Sequence, residues 1–147
     1  MRHLIPNRSF LTIVLALFAF GANAHASNCS ETTLKGAFGF TASGFLVAPS
    51  PIVGPFAGIG TQNFDGKGNT EATSTVSING NPQRVAIKGT YVVNSDCTGS
   101  MTLTFLPSGI VTHFDFVVSG NGAEVQGIRT DPGVVGTGVY RRLYGGD

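Results

Sequence analysis

Tryptophan, histidine and cysteine are scarce in this chain of 147 residues, and each shortage excludes a class of fold or site. There is no tryptophan, so the buried-tryptophan signature of an immunoglobulin domain is absent. After residue 26, His113 is the one remaining histidine, which excludes His-rich zinc sites and the HExxH helix. The sequence also lacks a CxxC pair, a Walker loop and the GxSxG elbow of hydrolases. We therefore predict no metal site, no cofactor and no recognisable catalytic set.

The sequence contains no apolar run long enough to cross a membrane as a helix, and its longest run lies near the N-terminus. Residues 10–20 (FLTIVLALFAF) are apolar apart from Thr12, but a membrane-spanning helix needs about 20 such residues. Arg2 and Arg8 precede this segment as a basic region, and small-x-small cleavage sites follow at 22–24 and 24–26. We predict a signal peptide over residues 1–26, export from a bacterial cell to the periplasm or the medium, and no membrane span afterwards.

Charge is low and balanced in the part that would remain. Without Arg2 and Arg8 the chain keeps seven basic and eight acidic residues, a net charge of −1. Sequence-independent binding to nucleic acid depends on a basic surface, because it works by neutralising phosphates. The composition therefore predicts no nucleic-acid partner.

Glycine is the residue in excess. Twenty of the 21 glycines lie in residues 27–147, roughly 17% of that segment against a usual share of about 7%. Glycine is a poor helix former, so this content favours short strands and tight turns. Turn signals recur along the segment, with alternating apolar and polar residues between them. Eight strands are predicted, over 34–46, 53–64, 70–78, 84–94, 100–106, 110–118, 123–130 and 134–143.

The short connections indicate how the eight strands are arranged. Strands joined by tight turns form an antiparallel up-and-down meander, and closing the meander into a barrel removes both unprotected edges. We predict a single all-β domain over residues 27–147, an eight-stranded antiparallel up-and-down barrel, with an open two-sheet sandwich as the alternative. An outer-membrane barrel is disfavoured because the third strand (TEATSTVSI) is polar on both faces.

The two cysteines agree with export. Cys29 and Cys97 would reach an oxidising compartment, where a disulfide is favoured over a catalytic thiol or a metal ligand. We predict that they form a disulfide, which would hold the N-terminal segment against the barrel wall.

Several of these turns and strands together resemble a group of small exported bacterial proteins. That group carries the pattern GxYxF…DGxGxxxG…NG…GTYxVxxDCTG and is similar to eight-stranded barrels of the allene oxide cyclase-like or dirigent-like kind. The matching segments here are Cys29-Ser30, LKGAFGF at 34–40, NFDGKGN at 63–69, GTYVVN at 89–94 and DCTG at 96–99. The resemblance implies the barrel but no activity, since the matched residues are turn and strand-closure positions and no cyclase catalytic residue has a counterpart.

A polar pair stands on the sixth strand. His113 and Asp115 are two residues apart, so their side chains leave the same face of the strand. The opposite face carries Phe114 and Phe116 and is more apolar, which places it inside the barrel. We therefore expect His113 and Asp115 to point outward, and the alternative is a flipped strand on which Asp115 would orient His113 as a base.

Four residues are candidates for ligand binding inside the barrel: Tyr91, Phe114, Phe116 and Arg129. A four-residue turn after Val118 would place Thr112 opposite Arg129, and a guanidinium at the barrel mouth could orient a polar ligand group. Tyr91 lies on the apolar face of the fourth strand, as a core residue or a ligand anchor, because a buried hydroxyl needs a partner.

Three functional hypotheses remain open. The first is a non-enzymatic exported barrel that binds a small apolar ligand or acts through surface contacts. The second is a cofactor-free isomerase or cyclase, whose catalysis would rest on positioning. The third is an oligomeric module, a homo-oligomer joined through the outward-facing Val111, Val117, Val135 and Val139.

Overall fold

A computed structural model describes residues 28–143, and in this range the alternating pattern forms one closed sheet. Eight antiparallel strands follow one another round a barrel in chain order, and the last strand pairs with the first. The bounds are β1 Gly36–Leu46, β2 Gly54–Phe64, β3 Asn69–Ile78, β4 Asn81–Val93, β5 Thr98–Leu106, β6 Ile110–Ser119, β7 Glu124–Arg129 and β8 Val134–Arg142. The predicted all-β, eight-stranded, up-and-down barrel is confirmed, and the sandwich is excluded by the β1–β8 pairing. The signal peptide predicted for residues 1–26 lies outside the described residues.

Alternation of buried and exposed side chains fixes which face of each strand lines the interior. In β6 every second side chain from Thr112 to Phe116 is buried, and β3 shows the same pattern from Thr70 to Ser74. Each large apolar side chain buried in this way contributes about 1.5–3 kcal/mol to folding. Seven aromatic side chains are buried inside the barrel: Phe38, Phe40, Phe64, Tyr91, Phe114, Phe116 and Tyr140. The middle of the barrel is therefore a packed core.

Inward-facing glycines make room for these rings. A Cβ atom on Gly99 would lie 2.4 Å from Cζ of Phe116, and one on Gly136 would lie 2.6 Å from Cζ of Phe56. Real Cβ atoms essentially never come within 3.0 Å of a non-bonded heavy atom, so each ring occupies the space that a side chain on the glycine would need. The glycine excess and the phenylalanine content of the sequence thus serve the same packing.

One end of the barrel is sealed by the N-terminal segment. This closed end carries the turns 65–68, 94–97 and 120–123 together with residues 28–35. A disulfide joins Cys29 to Cys97 across 68 residues, with their Cα atoms 5.0 Å apart, as predicted. The short 3-10 helix Glu31–Leu34 follows it and inserts Leu34, which is fully buried, into the end of the core.

Hydrogen bonds hold residues 28–35, the plug of the closed end, in place. The hydroxyl of Tyr91 accepts a hydrogen bond from the Gly66 amide at 3.0 Å and donates one to the Glu31 carbonyl at 3.0 Å. The guanidinium of Arg142 donates to the carbonyls of Thr33, Lys35 and Gly122. It also lies 4.6 Å from the centre of the Phe38 ring, a favourable cation–π distance.

Candidate functional site: the mouth of the barrel

The opposite end of the barrel is open. Its turns span 47–53, 79–80, 107–109 and 130–133, and no other described segment lies at this end. Near this end the inward-facing side chains are only partly buried, in contrast to those near the closed end. The members of this partly buried set are Ala42, Leu46, Phe56, Val76, Val85 and Phe105. Apolar inward-facing groups are thus accessible at the open end, which we call the mouth.

Small residues line one side of the mouth. On β8, β1 and β2 the paired positions Gly138, Ala42 and Gly58 form one inward row. A Cβ atom on Gly58 would come no closer than 3.5 Å to its nearest neighbour, Cγ2 of Val76, which is ordinary contact. The wall at Gly58 therefore has room for at least a methyl group.

Arg129 stands at the edge of the mouth on the inward face of β7. Its side chain is 13% exposed, and its Cζ atom lies 5.1 Å from the centre of the Phe114 ring. Nε and Nη2 donate to one oxygen of Asp131 at 3.1 and 3.0 Å. Among the described residues, Nη1 of Arg129 has no hydrogen-bond partner.

The register that places Arg129 differs from the predicted one. Phe114, and not Thr112, lies opposite Arg129, because Ser119 continues β6 and pairs with Glu124. The four-residue loop therefore falls at 120–123, one position later than expected, with Asn121 in the left-handed region at φ 54°. The resulting shift is two residues, and since side chains alternate with a period of two, Arg129 keeps its inward direction.

His113 and Asp115 are both exposed on the outer wall, but the carboxylate partner of His113 is Asp131. Nδ1 of His113 lies 2.7 Å from one oxygen of Asp131, and the His113 amide donates to the other at 2.9 Å. Partial burial alone would raise the pKa of Asp131, but hydrogen bonds from His113 and Arg129 together lower it. Asp115, two residues along the same face and so about 6.6 Å away, makes no hydrogen bond to His113 among the described residues.

Two other candidates lie away from the mouth. Tyr91 is at the closed end, where its hydroxyl is fully used by the plug, and burial raises its pKa. The ring of Phe116 packs on Gly99, deeper in the core. Of the four ligand candidates, the structure brings Phe114 and Arg129 together at the mouth.

Tyr140, which sequence reasoning missed, lies on the inward face of β8 opposite Val125, and its ring leans toward Gly138. It is 3% exposed and its ring lies 5.2 Å from that of Phe40. Burial raises the pKa of Tyr140 to about 12, while the nearby positive charge of Arg129 lowers it. Within residues 28–143 the Tyr140 hydroxyl has no hydrogen-bond partner. A signal existed, since β8 alternates Val134, Gly136, Gly138 and Tyr140 on one face.

The outer wall carries a separate, open concavity of about 780 Å³ over β4 to β8. Apolar side chains on it include Val92, Val117, Ile128 and Val139, and Asp115 is among its polar residues. It lies outside the barrel and does not connect the candidate residues at the mouth.

No protein-family model, curated protein or solved structure matches the chain. In the part of the chain that the structure describes, no helix has both the length and the apolar character to cross a membrane. The same residues contain no group of three or more His, Cys, Asp or Glu side chains placed to hold a metal ion. The geometry of the mouth is therefore the main guide to function.

Proposed function

We propose that the protein is an exported binding barrel that takes a small, mainly apolar molecule into its mouth. The observation that carries this proposal is the contrast between the two barrel ends. Leu34 and the Cys29–Cys97 bridge seal one end, whereas apolar inward-facing groups remain accessible at the other. Binding sites for small molecules are typically concave, apolar and supplied with a few polar groups.

The rim of the mouth supports an apolar ligand. Six large apolar side chains there are between 40% and 63% exposed: Phe45, Val47, Ile52, Val53, Ile110 and Val135. Among the described residues, Asp131 is the only charged side chain in the turns of this end. A ligand that covers this rim removes apolar surface from water, at about 25 cal/mol per Å².

Export is part of the same proposal. The leader-like residues 1–26 and the disulfide both support it, since disulfides persist in oxidising compartments. The similarity to exported bacterial barrels of the allene oxide cyclase-like or dirigent-like kind agrees with it, and rests on sequence motifs and barrel architecture.

The test is a thermal-shift screen of the purified protein against fatty acids, terpenoids and aromatic compounds, followed by two matched variants. Ala42 faces into the mouth and Ala57 faces outward on the neighbouring strand. We expect Ala42→Leu to weaken binding of a hit at least tenfold and Ala57→Leu to leave it unchanged. Silence across the screen, or equal effects of the two variants, would overturn the mouth as the binding site.

A further inference from the structure

The concavity on the outer wall is lined by two neighbouring rows of outward-facing side chains. Strand pairing places in the first row Val92, Ser100, Asp115, Ile128 and Thr137. The second row, nearer the closed end, contains Asn94, Thr98, Val117, Gln126 and Val139. Between the rows, the floor of the concavity includes the glycines at 99, 127 and 138. Because neighbouring strands are about 4.8 Å apart, each row is about 19 Å long.

Apolar side chains stand on both sides of the centre of this concavity. Val92, Val117 and Ile128 are 54%, 49% and 53% exposed, and Val139 is half-buried. The volume of about 780 Å³ lies within the range of about 300–1,000 Å³ that is usual for small-molecule sites. The outer wall therefore offers an apolar molecule a concave surface that is separate from the mouth.

Asp115 is the one charged side chain that lines the concavity among the described residues. It lies in the middle of the first row, between Ser100 on β5 and Ile128 on β7. The ion pairs within residues 28–143 use the carboxylates of Glu71, Glu124 and Asp131, and leave Asp115 without a cationic partner. A single negative charge thus stands at the centre of an otherwise uncharged, partly apolar surface.

The charged groups around the concavity do not neutralise Asp115. His113, on the same face of β6, is bound to Asp131, and Arg141, farther along β8, is bound to Glu124. Asp96, in the turn beside the second row, adds another negative charge. Hydrogen bonds from the Thr98 hydroxyl and amide hold the pKa of Asp96 below its usual value, so it stays ionised at neutral pH.

We propose that the outer-wall concavity binds a small organic cation, a protonated amine with apolar substituents. Its nitrogen lies at Asp115, and its apolar groups pack on Val92, Val117 and Ile128. A second copy of the chain fits this surface poorly, because a twofold dimer would set the concave face against itself and Asp115 near its own negative counterpart. The inference does not depend on the proposed function, since the concavity and the mouth are separate.

Three probes separate the contributions of charge and apolar surface. N-ethylbenzylamine is protonated at neutral pH, benzyl ethyl ether has the same shape without the charge, and diethylamine keeps the charge without the ring. Their dissociation constants would be measured by NMR titration of the purified protein, with its disulfide formed, at low ionic strength. We expect N-ethylbenzylamine to bind about three- to fivefold more tightly than the ether, the usual effect of one exposed ion pair. Diethylamine should bind more weakly still, and added salt should reduce the preference for the amine over the ether.

Two variants assign that preference to Asp115. Asp115→Asn keeps the shape of the side chain and should reduce the preference for the amine over the ether to less than about twofold. Because Asp115 has no ion pair to lose within the described residues, this variant should fold normally. Glu71→Gln removes the same charge from the outer face of β3, outside the concavity, and should leave the preference intact.

The site itself is located by the methyl signals that shift during the titration. We expect the largest shifts at Val117 and Ile128. Equal binding of the amine and the ether, an equal loss of preference in Glu71→Gln, or the largest shifts at Ala42 and Val76 in the mouth would overturn the proposal. So would absence of binding by N-ethylbenzylamine at millimolar concentration. Sedimentation velocity adds a last check, because a dimer that Val117→Asp converts to a monomer would show that a second copy covers the concavity, and would overturn the proposal as well.

Discussion

Removing the hydroxyls of Tyr91 and Tyr140 one at a time should have unequal effects on stability. Both tyrosines are 3% exposed, so replacement by phenylalanine keeps an equally buried ring in each case. At Tyr91 the change leaves the Gly66 amide and the Glu31 carbonyl without partners. At Tyr140 it removes a hydroxyl to which no described residue is hydrogen-bonded.

The magnitudes follow from the hydrogen bonds. Two bonds of about 1 kcal/mol each predict that Tyr91→Phe lowers the free energy of unfolding by about 2 kcal/mol. For a domain of this size that corresponds to a fall in Tm of roughly 8 °C. Tyr140→Phe should leave the free energy of unfolding nearly unchanged, because it removes no hydrogen bond to a described residue.

Equilibrium urea unfolding, followed by circular dichroism with the disulfide intact, measures both values. The slope of the unfolding free energy against urea should be the same in the two variants, since neither alters the surface exposed on unfolding. A loss at Tyr140 as large as that at Tyr91 would refute the reasoning, because it would mean that the Tyr140 hydroxyl has a partner inside the folded protein.

Three further predictions concern packing, charge and the disulfide. Gly99→Ala should destabilise the fold by about 2 kcal/mol or more, because its Cβ would meet the Val92 carbonyl oxygen and the Phe116 ring, whereas Gly58→Ala should be neutral or slightly stabilising; thermal unfolding compares them. The pKa of Asp131 is lowered in the folded state, so its contribution is present above its unfolded pKa of about 3.9 and is lost as pH falls through the lower folded value. Urea unfolding between pH 2 and 6 should show this acid loss, and Asp131→Asn should reduce it. Replacing Cys29 and Cys97 together with serine should lower stability by about 4 kcal/mol on the chain-entropy estimate for a 68-residue separation, and reducing agent should then have no further effect on urea unfolding.

The strands were predictable because the turns that separate them have local sequence signals. Asn79 and Gly80 form the two-residue turn between β3 and β4, with φ of 50° and 80°, as the Asn-Gly pair indicates. Between such turns the alternation of apolar and polar residues fixes the inward face. Between β6 and β7 the observed register differs from the predicted one by two residues, and the predicted inward direction of Arg129 was still correct.

The closed end and the mouth depend on contacts that sequence spacing does not reveal. The guanidinium of Arg142 donates hydrogen bonds to the carbonyls of Thr33 and Lys35, which lie more than one hundred residues earlier, and no local sequence pattern indicates that pairing. The partner of His113 is Asp131 because the turn after β7 folds back toward β6, not because of any spacing along one strand. Tyr140 was visible as an inward residue of β8, but its unpaired hydroxyl required coordinates.

The most direct test of an open apolar mouth is to detect which methyl groups touch a bound ligand. Intermolecular nuclear Overhauser effects from protons of a hit from the thermal-shift screen would be measured to assigned methyl groups. We predict contacts with the inward-facing methyls of Ala42 and Val76. Contacts with Val117 and Ile128 instead would contradict the account, because those side chains line the concavity on the outer wall.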